Sequence, residues 1–133
     1  MRARLAVTMG DVNGIGPEVL AQALPRLGDC GPALLVLGDA DVLDVVAAAP
    51  VSVARIDDPA SWDPEATPMA ICDAGFRASG REPGVLSADA GRCAMEWTRA
   101  AVKLALAGVV DAIVTGPINK EGIRLAGYSC MGH

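Results

Sequence analysis

Short apolar runs punctuate this chain at intervals: RLAVTM at 4–9, ALLVL at 33–37, MAIC at 69–72 and the pair Ile113-Val114. Most lead into glycine, and stretches of helical periodicity separate them. Runs this short, bounded by turn residues, read as buried strands. Because they are continuously apolar and alternate with helices, they call for a mostly parallel sheet with helices on both faces, an α/β class. Residues 51–56 (VSVARI) read as a further strand.

The intervening stretches carry helix signals. Gly16-Pro17-Glu18 opens the first helix, since proline suits the first helical position and a carboxylate the positive N-terminus. Leu20, Leu24 and Leu27 give it an apolar stripe, and Pro25 is expected to bend or end it. Asp39 is expected to cap a helix through Ala48. Residues 57–68, rich in Asp and Pro, read as a surface loop, and a second polar stretch leads to Pro83-Gly84. The longest helix is expected over 87–107, capped by Ser87 with Asp89 in its first turn. Arg92, Glu96, Arg99 and Lys103 share one solvated face of it, while Ala90, Ala94, Trp97, Ala101 and Leu104 face inward. Gly108 should terminate it. There is no internal repeat, low-complexity tract or linker, so residues 1–133 read as one unit without an internal boundary.

Composition narrows the partners. Hydrophobic residues make up 52% of the chain but aromatic ones only 3%, so the core must be built from small aliphatic side chains. The net charge of -5 and the absence of a Lys/Arg cluster exclude a nucleic-acid-binding face. Cys30, Cys72, Cys93 and Cys130 are too widely spaced for a metal or disulfide framework and read as reduced thiols. The run after Arg2 and Arg4 is too short for a signal peptide, and no stretch has transmembrane length. The expectation is a soluble, cytoplasmic protein that binds no membrane.

Three segments have the residue types of a site. Gly10-Asp11-Val12-Asn13-Gly14-Ile15-Gly16 follows a strand and precedes a helix, an arrangement in which backbone amides approach an anion closely. Its glycine spacing is neither the dinucleotide-binding fingerprint nor a Walker loop. The alternative is a tight turn whose glycines permit positive φ; Asp11 would repel an anion unless turned away. Thr115-Gly116-Pro117-Ile118-Asn119-Lys120 follows the last strand, where ligands gather in open α/β sheets. There Thr115 and Asn119 offer hydrogen bonds and Lys120 a positive charge, or else Asn119 simply caps the next helix. The third segment ends in His133, the one histidine of the chain.

Taken in order, TMGDVNGIGPE, SADAGRCAMEW, DAIVTGPINKEGIRLAG and the closing Gly-His resemble the 4-hydroxythreonine-4-phosphate dehydrogenase family of vitamin B6 (pyridoxal phosphate) biosynthesis, over essentially all of the chain. The resemblance implies a fold like the isocitrate and isopropylmalate dehydrogenases, two α/β domains around a cleft in a homodimer, of which this chain supplies the N-terminal part. It also implies NAD-dependent oxidation of a secondary alcohol on a phosphorylated substrate, then decarboxylation, with a divalent metal cation as Lewis acid. By that resemblance His133 contacts substrate, Lys120, Asn119 and Thr115 line the same cleft, and Gly10, Asp11, Gly14 and Gly16 shape its floor. The metal-binding histidines are expected beyond residue 133, so no catalytic residue and no metal ligand is assigned within this chain. Val12-Asn13 stands where many members have Pro-Ala. Relatives acting on a four-carbon sugar-acid phosphate or a cyclic dihydrodiol, and an inactive piece that binds at most a small anion, are the alternatives.

Overall fold

The structure, a computed structural model, describes residues 2–27, 31–49 and 51–129. Five strands form one all-parallel sheet: β1 (Arg4–Thr8), β2 (Ala33–Leu37), β3 (Ala54–Arg55), β4 (Met69–Cys72) and β5 (Ala112–Val114), in the order β3-β4-β2-β1-β5. Among the described residues four α-helices accompany them: α1 (Gly16–Leu27), α2 (Ala40–Val46), α3 (Ala88–Leu106) and α4 (Lys120–Leu125). The parallel α/β arrangement is the one the apolar runs call for.

The sheet's centre is the driest part. Every residue of β2 is buried, as a parallel strand covered on both faces should be. The crossovers β1-α1-β2 and β4-α3-β5 run in opposite directions across the sheet, so right-handed connection places α1 and α3 on opposite faces. α1 packs with α2, and α3 lies against β1, β2 and β5 with α4 beside it. Ala90, Ala94, Trp97, Ala101 and Leu104 are all buried, so the inward stripe read from α3 is correct. Ser87 caps α3 by accepting from the Ala90 amide, and Gly108 follows the helix at φ +79°. Trp97 is fully buried and donates its indole N–H to the carbonyls of Asp73 and Phe76 at 3.0 and 3.2 Å, tying α3 to the end of β4.

Three local expectations change. Pro25 does not end α1, which continues to Leu27; a proline this close to a C-terminus costs only one late hydrogen bond. α2 stops at Val46 rather than Ala48, because Ala47 turns to extended backbone (φ -73°, ψ 133°), although Asp39 does cap it. The strand read over 51–56 shrinks to Ala54–Arg55, an edge strand pairing only with Ala70 and Ile71. Within the 57–68 loop, residues Pro59–Ser61 form one 3-10 turn and Trp62 is buried, its indole donating to Thr67 O at 2.8 Å. No helix among the described residues is long and apolar enough to cross a membrane.

Candidate functional site

In a parallel sheet every strand ends on the same side, so the turns after β1 and β5, its neighbour, leave the same edge. They interlock there. The Gly116 amide donates to Thr8 O at 2.9 Å and Thr8 Oγ1 at 3.0 Å, and the Asp11 amide donates to Pro117 O at 2.9 Å. A Cβ on Gly116 would lie 2.5 Å from Thr8 O and 2.6 Å from Met9 O. One on Gly10, whose φ is +78°, would lie 2.3 Å from Pro117 O. These contacts are with backbone, so no side chain can be accommodated without moving one turn off the other. The turns thus form one rigid mouth at the carboxyl edge, between β1 and β5, whose following helices α1 and α4 lie on opposite faces of the sheet. In open α/β sheets ligands gather just beyond the carboxyl ends of the strands, where adjacent connections diverge in this way.

Within the first turn the glycines serve close approach more than unusual backbone. Of Gly10, Gly14 and Gly16, Gly10 alone has positive φ. Gly16 is required because a Cβ would meet Met9 O at 2.0 Å. Asp11 is 7% exposed and turned inward: its Oδ1 accepts from the Asn13 amide at 2.9 Å and its carbonyl from the Gly14 amide at 3.0 Å. The amides of Asp11, Asn13 and Gly14 are therefore spent inside the protein. This favours the tight turn over the anion cradle for this segment.

The second turn is more open. Thr115 and Lys120 are exposed, and among the described residues the Lys120 side chain has no ion-pair or hydrogen-bond partner. Asn119 is the N-cap of α4: its Oδ1 accepts from the amides of Glu121 (3.0 Å) and Gly122 (3.3 Å), so the capping alternative describes it. His133 lies outside the described residues. At the opposite end of the same strands, Arg4 and Asp111 pair at 2.9 Å, and hydrogen bonds from the Arg4 guanidinium and amide hold the Asp111 carboxyl below its usual range. Cys93 is fully buried and its thiol is pushed up to about 11, chiefly by desolvation; Cys72 moves the same way for the same reason. Neither thiol is a nucleophile at neutral pH.

Residues the motif reading passed over also shape this edge. Asn13 and Arg81 join the first turn to the segment ahead of α3. Gly91 and Gly122 let α4 sit against α3, since a Cβ on Gly91 would lie 2.1 Å from Gly122 O. A glycine inside an otherwise helical pattern was the available signal for Gly91. Asn13, a polar residue between glycines, gave none that distinguishes it from an ordinary turn residue. No group of three or more His, Cys, Asp or Glu that could hold a metal ion occurs among the described residues.

Fold and mouth together define an open parallel α/β fold with an interlocked pair of turns at its carboxyl edge. The family model described as "Pyridoxal phosphate biosynthetic protein PdxA" matches residues 30–133, and the chain belongs to that family. A Bordetella bronchiseptica D-threonate 4-phosphate dehydrogenase is 38% identical, aligned over 97% of this chain and 38% of its own length. A Synechococcus 4-hydroxythreonine-4-phosphate dehydrogenase is 37% identical over 98% of this chain and 38% of its own length. Among solved structures, a 4-hydroxythreonine-4-phosphate dehydrogenase from Klebsiella pneumoniae superposes with a TM-score of 0.80 at 38% identity, covering 98% of this chain and 42% of that one. A terephthalate 1,2-cis-dihydrodiol dehydrogenase from Burkholderia xenovorans gives a TM-score of 0.73 at 27% identity, over 97% and 38% of the two chains. The chain thus spans about two fifths of the length of these relatives and corresponds to their N-terminal part.

Proposed function

We propose that this chain is the N-terminal α/β portion, without an internal boundary, of a cytoplasmic, homodimeric NAD-dependent dehydrogenase. The enzyme would oxidise the secondary alcohol of 4-phosphohydroxythreonine and release carbon dioxide from the resulting β-keto acid, a step of pyridoxal phosphate biosynthesis. The observation that carries the reading is the interlocked pair of turns at the carboxyl edge, with Thr115 and Lys120 exposed beside it. In this reading the mouth is preformed and needs no reorganisation when substrate arrives. The Lys120 ammonium attracts the substrate's phosphate or carboxylate, and the Thr115 hydroxyl and the Asn119 amide nitrogen orient it. By the family resemblance His133 contacts the substrate as well.

Bound NAD would supply the hydride acceptor, and a divalent cation would supply Lewis acidity toward the substrate's oxygen. The described residues do not fit either group. They contain no metal-ligating cluster, and the first glycine turn has spent its amides internally. Their contribution is confined to shaping and charging one wall of the cleft. The rest of the machinery belongs to parts of the protein outside the described residues.

The named relatives favour a second substrate of the same chemistry. Several are D-threonate 4-phosphate dehydrogenases, at identities matching the hydroxythreonine enzymes. NADH formation by the whole protein should therefore be measured with 4-phosphohydroxythreonine, with threonate and erythronate 4-phosphates, and with a cis-dihydrodiol. Turnover of a phosphorylated substrate, with a raised KM in Lys120→Ala, supports the proposal. Turnover of the dihydrodiol alone, or of none of them, refutes it.

A further inference from the structure

The connection from β4 to α3 crosses the carboxyl edge as a strap fastened at three places. Ahead of its middle, the Ala78 amide donates to Asp39 Oδ2 at 3.2 Å, and the Ser79 amide and hydroxyl donate to Asp89 Oδ2 at 2.8 and 3.0 Å. The third fastening joins it to the first glycine turn. Arg81 Nε donates to Val12 O at 2.8 Å and its guanidinium pairs with Glu18 at 2.7 Å. Asn13 completes it: Oδ1 accepts from the Glu82 amide at 2.8 Å, Nδ2 donates to Val85 O at 3.0 Å, and the Asn13 carbonyl accepts from the Gly84 amide at 2.8 Å. The residue is only 6% exposed, and both ends of its side-chain amide go to one segment about seventy residues away. The turn itself closes without that amide, through the Asp11 carboxylate and carbonyl.

From these contacts we infer that Asn13 is a positioning residue, clamping the strap at Glu82–Val85 onto the turn so that the mouth keeps its shape before ligand binds. The first turn is then held from two sides, by Pro117 O on the β5 side and by the strap on the other. This deepens the dehydrogenase reading and rests on it. Because both ends of the Asn13 side-chain amide are taken up by the strap, its loss weakens substrate binding and leaves the chemical step nearly unchanged.

The test combines hydrogen exchange with kinetics on the whole protein. Asn13→Ala removes both side-chain bonds, so exchange at the Glu82 amide should accelerate by at least about tenfold. KM for the best phosphorylated substrate should rise about five- to twentyfold, with kcat within about twofold. Asn13→Asp, which keeps the acceptor for Glu82 and loses the donor to Val85, should fall between wild type and Asn13→Ala. Amides within α3 should not change, which shows that the fold is retained. If they do change in Asn13→Ala, then Asn13→Asp and Arg81→Ala decide in its place. Unaltered exchange at Glu82 overturns the clamp, and accelerated exchange with unaltered KM overturns the positioning role. A wild-type protein without turnover overturns the dehydrogenase reading and the kinetic half with it, while the exchange arm still decides the clamp.

Discussion

Replacing Gly91 with alanine should destabilise the protein, although the same change in an ordinary helix stabilises it. Helix propensity alone favours alanine by about 0.5–1 kcal/mol. Against that, the new Cβ would lie 2.1 Å from Gly122 O, 2.2 Å from Gly122 C and 2.7 Å from Ile123 N. All three are backbone atoms of α4, so no side-chain rotation relieves the overlap, and α4 must retreat by more than an ångström to reach ordinary contact. Overpacking of this kind costs about 1–3 kcal/mol. Retreat also strips cover from Ile123, now 1% exposed, whose full burial is worth about 1.5–3 kcal/mol. It pulls Tyr128 from its 2.7 Å hydrogen bond to Glu96 and from beneath the Arg99 guanidinium, 5.1 Å above its ring. The net expectation is a loss of about 2–3 kcal/mol, or a fall of roughly 1 M in the urea midpoint. Gly122→Ala is the control. Its Cβ meets nothing closer than Ser87 O at 3.2 Å, so it should change stability by less than about 1 kcal/mol. Urea unfolding followed through the buried Trp97, with exchange at the α4 amides, reads both variants. A Gly91→Ala protein as stable as wild type, or more so, would refute the close crossing of α3 and α4.

Gly116→Ala should separate the two turns and cost about 2–4 kcal/mol, because its Cβ overlaps two backbone carbonyls; a thermal midpoint within a degree of wild type would contradict the interlock. Asp39→Ala removes the cap of α2 and the acceptor of the Ala78 amide together, for a loss of about 1–2 kcal/mol in denaturant unfolding. Cys93 should resist thiol reagents in the native protein and react only on unfolding. Its thiol stays protonated in the fold up to about 11 while the unfolded thiol ionises near 9.0, so the unfolded state loses its proton first and stability should decline as pH rises between those values, a decline absent in Cys93→Ala.

The strands were legible because each is a continuous apolar run with no competing period. β2 and β4 match their runs residue for residue. β3 is shorter than the run 51–56 because Val51 and Val53, though strand-forming residue types, lie at the sheet's margin, half-buried, where only two ladder positions pair. α2 stops short of Ala48 for a related reason. Ala47, Ala48 and Ala49 have high helix propensity, but Ala48 and Ala49 are exposed, and short helices persist where packing holds them rather than where propensity allows. Capping was easier to read, since Ser87, Asp39 and Asn119 each act within three residues of themselves.

The site divides along the same line between near and far. That Gly10 and Gly116 are in turns follows from their neighbours; that they pack so closely that a Cβ on Gly10 would lie 2.9 Å from Gly116 C depends on β5 returning beside β1 after three other strands have been laid down on the opposite side. The helices that follow the neighbouring strands β1 and β5, α1 and α4, diverge to opposite faces of the sheet. The gap between them opens between β1 and β5, where two glycine-bearing turns pack backbone to backbone instead of meeting through side chains. On the proposed reading the side chains that meet a ligand there are those of Thr115 and Lys120 on one flank, with the strap held by Asn13 on the other. The glycines then set where a ligand fits, and the flanking residues which ligand is kept.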